Sequence, residues 1–239
     1  MCCFSGNVSR VANTRIFGRV TPNATQILVY QMEYAAESDL AMILPLPTPP
    51  HAADDAVRFI DLSAYPEFFT DMEKGFPYTR QPVTGHGRKP QLQVQTVGSF
   101  DASFVPSQKD FERLDARFRL PADAWKELPE YDDFGFAVFK LRADAHTVHP
   151  LAFEFPTRNP QLLYFPTVHI HDGHVAEEAN FDHDLYCQAR AGWLRSYNGA
   201  GSFMDMERAQ GVVDPNERIS RMTVQGMHPN SDILVGLRA

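Results

Sequence analysis

FPTVHIHDGHVAEEANFDHDLYCQ, residues 165–188, holds four of the nine histidines (His169, His171, His174 and His183) and one of the three cysteines, Cys187. Asp172-Gly173 is the dipeptide that favours a two-residue hairpin turn, because both central positions need positive φ. A hairpin closed there places His171 opposite His174. Strand alternation then adds His169 to the same face and turns Val168, Ile170 and Val175 to the other. Cβ atoms of directly paired residues lie about 4.5–5.5 Å apart, close enough for imidazoles to share an ion. The register therefore predicts a core-facing apolar side and a three-histidine side suited to zinc, copper or iron. His183 and Cys187, four residues apart, share a face on a strand and on a helix alike, and they are the secondary candidates. Asp182 and Asp184 are candidates to orient the imidazoles, and His149 is a further histidine that could converge on the site.

Outside this stretch, 239 residues suffice to bury a substantial core, and 44% hydrophobic with 22% charged residues is an ordinary globular composition. The reading is one integrated domain with a possible division into two lobes near residues 106–130. No apolar run approaches the ~20 residues of a membrane helix. The opening MCCFSGNVSR has no basic region followed by an apolar stretch, so a cytoplasmic protein is expected. A net charge of −8 argues against a nucleic-acid partner, and a small-molecule substrate is the expected partner class.

Alternation and turn residues predict strands at residues 14–20, 25–34 and 40–44, the last closed by Pro45-Leu46-Pro47-Thr48-Pro49-Pro50. Helical spacing is read at residues 54–62 and 66–74, and a long mobile loop at residues 76–90, which include His86, Arg88 and Lys89. Extended structure is expected at residues 92–105, then a helix from Ser107 to about Phe118 and another over residues 122–128. Strands follow at residues 134–142, 148–155, 162–171 and 181–188, with short pieces at 203–209 and 219–224. The fold class is α+β, with antiparallel sheets and a few short helices. Leu40-Ala41-Met42-Ile43-Leu44-Pro45 echoes Leu151-Ala152-Phe153-Glu154-Phe155-Pro156, suggesting pseudo-duplicated β-hairpins.

Cys2 and Cys3 form a rival centre. If Met1 is removed, Cys2 carries a free α-amine beside its thiol, a nucleophile and base in one residue. The Met-Cys start and the Phe17-Gly18-Arg19 strand resemble N-terminal-nucleophile amidohydrolases of the choloylglycine type. That resemblance implies Cys2 as the catalytic residue. It covers about twenty residues, and Val20-Thr21-Pro22 departs from the family's Asn-Met-Asp. The Cys-Cys-Phe-Ser opening, Ile16–Arg19, Tyr30–Tyr34 and the run from Asp39 to Pro47 resemble a bacterial domain-of-unknown-function family, implying bacterial origin and a shared fold. Three function classes follow: a histidine-rich metal-binding protein, whose enzymatic form would be a metal-dependent oxidoreductase or hydrolase; a thiol amidohydrolase; and a non-enzymatic interaction module.

Overall fold

The computed structural model describes residues 3–76, 101–120, 122–170 and 174–237. Its strands are β1 (Cys3–Phe4), β2 (Arg10–Val20), β3 (Thr25–Ala36), β4 (Leu40–Leu46), β5 (Arg58–Asp61), β6 (Ala102–Val105) and β7 (Gly135–Leu141). They continue with β8 (Asp144–Thr147), β9 (Leu151–Pro156), β10 (Leu162–Phe165), β11 (Glu178–Cys187), β12 (Leu194–Arg195), β13 (Ser220–Pro229) and β14 (Ile233–Gly236). Two short α-helices, α1 (Phe68–Glu73) and α2 (Ala122–Lys126), and a few 3₁₀ turns complete the described elements.

The strands form an eight-stranded sheet, whose main path is β12-β13-β11-β2-β3-β9-β5 with β8 also on β3. A four-stranded sheet, β1-β4-β7-β6, and the β10-β14 pair complete the set. Alternating side chains show how they stack. From β3, Leu28, Tyr30, Met32 and Tyr34 enter one apolar cluster, while Ile27 and Val29 enter a second on the opposite face. From β4, Leu40, Met42, Leu44 and Leu46 join the first cluster, while Ala41 and Ile43 face a third. The first cluster is thus the filling of a sandwich between the two sheets. The second is closed by α1 and the turns around Met204–Val213, and the third by the segment Phe111–Tyr131. Central strands buried on both faces read as continuous apolar runs, and β4 is buried at all seven positions. Each fully buried large side chain contributes roughly 1.5–3 kcal/mol.

Antiparallel pairing dominates as expected, with β11–β2 a parallel exception, and the chain is β-rich rather than evenly α+β. Residues 54–62, read as helical, contain β5, which pairs with β9; their apolar spacing matched a helix but Phe59 and Ile60 lie on a strand. β4 runs through Pro45, which faces Phe136 of β7 where β1 no longer covers the other side, an edge position that tolerates a missing N–H. The helix expected after Ser107 is two 3₁₀ turns. The echoing strands lie in different sheets: β4 pairs with β1 and β7 in one, β9 with β3 and β5 in the other. Residues 106–130, the expected lobe boundary, supply buried Phe111, Phe118, Leu120 and Leu128 to the third cluster. The basic loop cluster and residues 92–100 lie outside the described residues.

Candidate functional site

The first strand brings the cysteine-rich and histidine-rich regions side by side. Cys3 stands opposite Ile43 of β4 and forms a parallel bridge with Ile170. The Phe4 N–H donates to the Ile170 carbonyl at 3.1 Å, and the Ser5 N–H to that of Ala41 at 3.0 Å. The Ser5 Oγ donates to the Arg117 carbonyl and accepts from the Ala41 N–H. Cys3 is buried in the third cluster with Ala41, Ile43, Val168 and Ile170, so its thiol belongs to the apolar side. Cys2 and His171 lie outside the described residues.

Asp172-Gly173 and His171 lie outside the described residues, and among those described the strands flanking them do not pair with each other. β10 ends at Phe165 and pairs with β14, while β11 starts at Glu178 and lies between β13 and β2. His169 instead meets His183 through space: the two imidazoles are nearly parallel, 17° apart, with centroids separated by 5.3 Å. Phe181 packs on both rings, 4.4 Å from His169 and 5.0 Å from His183, and also meets His228 at 5.8 Å. Both stacked histidines are buried, and burial holds His183 far below the usual imidazole range, so it is neutral near pH 7.

A bulge in β2 supports this stack. The β2–β3 register shifts between Ala12 and Arg15, and Asn13 adopts φ 54°. Asparagine tolerates that left-handed conformation. The turn aims the Asn13 N–H at Asp182 Oδ2 (2.8 Å), and its side chain donates to Glu33. Thr14 then pairs with His183 across the parallel ladder. Asp182 is part-buried, and burial raises its carboxyl above the ordinary range.

The remaining sequence candidates are dispersed. The His174 side chain is 81% exposed, 3.8 Å from Glu127. His183 and Cys187 share a face of β11, but four residues of extended chain separate their Cα atoms by about 13 Å, too far for a common ion. Cys187 is enclosed in the sandwich core, and burial pushes its thiol up to about 12. His149, also buried, hydrogen-bonds the Pro150 carbonyl through Nδ1, and burial lowers its pKa. Among the described residues no group of three or more His, Cys, Asp or Glu could hold a metal ion.

The residues that do position the stack come from the tail, where the sequence showed only loop. Asn230 accepts the His169 N–H (2.7 Å) and donates to the carbonyls of His169 and Ala176. Asp232 accepts four donors: the Thr167 and Val168 N–H groups, and the phenols of Tyr131 and Tyr164, each at 2.5 Å. The phenols are pushed above their ordinary range by burial, with the Asp232 charge adding to the shift. Beside them lies a cavity of about 360 Å³, walled by Phe134, Leu162, Leu234 and Arg158. The Asn230-Ser231-Asp232 turn is thus the clamp that fixes residues 167–169 beside β1.

These features define a β-rich sandwich whose first strand and last turn are both stitched to one histidine-bearing segment. The fold is that of baculovirus P35: its crystal structure aligns over 99% of this chain and 99% of its own, with a TM-score of 0.56 and 13% identity. A mutated P35 after caspase cleavage aligns over 95% of this chain and 100% of its own, with a TM-score of 0.50 and 11% identity. No family model matches the sequence. At these identities the likeness establishes the fold alone.

Proposed function

We propose that this chain is a non-enzymatic protein that engages a caspase-type protease, is cut by it, and keeps its fold afterwards. The observation that carries the reading is the correspondence of fold with P35 along essentially the whole of both chains, together with a P35 structure obtained after caspase cleavage. The physics of the sandwich agrees with survival after a cut. Its filling is drawn from strands on both sides of residues 77–100, so one broken peptide bond in that stretch leaves those contacts in place. The test is incubation of the full chain with active caspases, followed by peptide-substrate assays, intact mass and size-exclusion chromatography. Loss of protease activity with a single cut and co-elution supports the reading; an uncut chain and unchanged activity throughout a caspase panel overturns it. Mapping the bond adds the specificity. Residues 77–100 contain Arg80, Arg88 and Lys89 but no aspartate, so a cut there indicates a protease that accepts residues other than aspartate.

A second reading starts from the proximity of two imidazoles, whose ring centroids are 5.3 Å apart. His169 and His183, with His171 nearby in sequence, would form a transition-metal site for zinc, copper or iron. Metal analysis of tag-free protein tests it. Less than about a tenth of an equivalent of metal, with no uptake on reconstitution, overturns it.

A further inference from the structure

All four large apolar side chains exposed among the described residues, Leu194, Tyr197, Met227 and Leu234, fall in the last quarter of the chain. One of them, Leu234, lines a groove. β14 pairs with β10 on one side, and among the described residues no strand pairs with its other side. Next to that edge is a cavity of about 400 Å³ lined by Arg190, Trp193, Met222, Leu234, Val235 and Leu237. β13, which supplies Met222, is similarly uncovered over most of its length, because β12 reaches only Ser220 and Arg221.

The edge lacks the usual protections against strand addition. β14 reads Ile-Leu-Val-Gly, with no charge and no proline, and Leu234 is 58% exposed. Charge selects the occupant. In a chain of net charge −8, this rim carries the exposed guanidinium of Arg190, and Arg195 lies on the neighbouring β12. Neither arginine forms a salt bridge to a described carboxylate, unlike Arg58, Arg113, Arg158 and Arg208.

We infer that the groove between β14 and Trp193–Met222 is a docking site for an extended, acidic partner peptide. Its backbone adds to the β14 edge, alternate apolar side chains enter the cavity, and a carboxylate pairs with Arg190. The surface does not depend on the protease reading, since it rests on the β14 edge and the free arginine charge alone.

The test uses fluorescein-labelled hexapeptides, one alternating aspartate and leucine and one alternating lysine and leucine, titrated by anisotropy against the full chain. The acidic peptide is expected to bind and the basic one to bind at least about tenfold more weakly. Arg190→Gln, a change at an exposed position, should weaken the acidic peptide about tenfold, and Leu234→Asp should abolish binding while the circular dichroism stays native. Equal affinity for the two peptides, or binding indifferent to Arg190→Gln, overturns the proposal. Sedimentation velocity adds a separate arm: self-association removed by Leu234→Asp would show that the groove serves a second copy, and would overturn the peptide assignment.

Discussion

Phe4 and Ile170 are joined by a backbone hydrogen bond of 3.1 Å across 166 positions of sequence. The bond ties the start of the chain to the segment that carries His169, and Phe4 itself is buried in the sandwich filling. Phe4→Ala is therefore expected to cost about 3–5 kcal/mol, the usual range for a buried phenylalanine. Denaturant unfolding measures it; a loss under 1 kcal/mol would mean that β1 is dispensable.

Asp232 is the acceptor for two phenols and two backbone N–H groups around Thr167. Asp232→Ala leaves four donors without their acceptor, and each buried unsatisfied group costs about 1–3 kcal/mol. A destabilisation of at least about 3 kcal/mol is expected, with Asp232→Asn intermediate because it keeps one acceptor oxygen. Equal stability of Asp232→Ala and the parent would refute the clamp.

His183 sets an acid dependence. Burial lowers its folded pKa below the unfolded value of 6.5, so between the two values the unfolded chain binds the extra proton. Stability is full above about pH 6.5 and falls as pH drops, by up to about 1.4 kcal/mol per pH unit from this one group. Unfolding curves at pH 7.5 and 5.0 should show the loss, and His183→Gln should flatten it. An unchanged pH slope in the variant would place the dependence elsewhere.

Thiol reactivity separates the cysteines. Cys3 and Cys187 are buried, and the Cys187 thiol is held at about 12. Iodoacetamide should leave both unmodified in native protein and label them after denaturation. Fast native alkylation of Cys187 would contradict the core placement. Rapid, selective alkylation of Cys2 after loss of Met1 is what an N-terminal nucleophile would require.

Local signals carried the parts of the fold that local physics decides. The Thr21–Thr25 turn and the alternation on either side made β2 and β3 readable, and Phe68, Phe69 and Met72 made α1 readable. Pairing between distant strands was not. Asp172-Gly173 is a sound hairpin signal, yet β10 takes β14 and β11 takes β13 and β2, partners tens of residues away. Of the site, the sequence showed His169 and His183 as candidates, but their contact depends on that non-local pairing. Asn230 and Asp232 had no visible signal, because an Asn-Ser-Asp turn reads as solvent-facing loop until Tyr131 and Tyr164 are seen to converge on it.

The most direct test of the central proposal is a titration of active caspases with the intact chain, followed by native mass spectrometry. The account expects protease activity to fall with added chain and a complex containing a once-cut, folded chain to appear. Full protease activity at excess chain, with only free and uncut species in the spectrum, would contradict it.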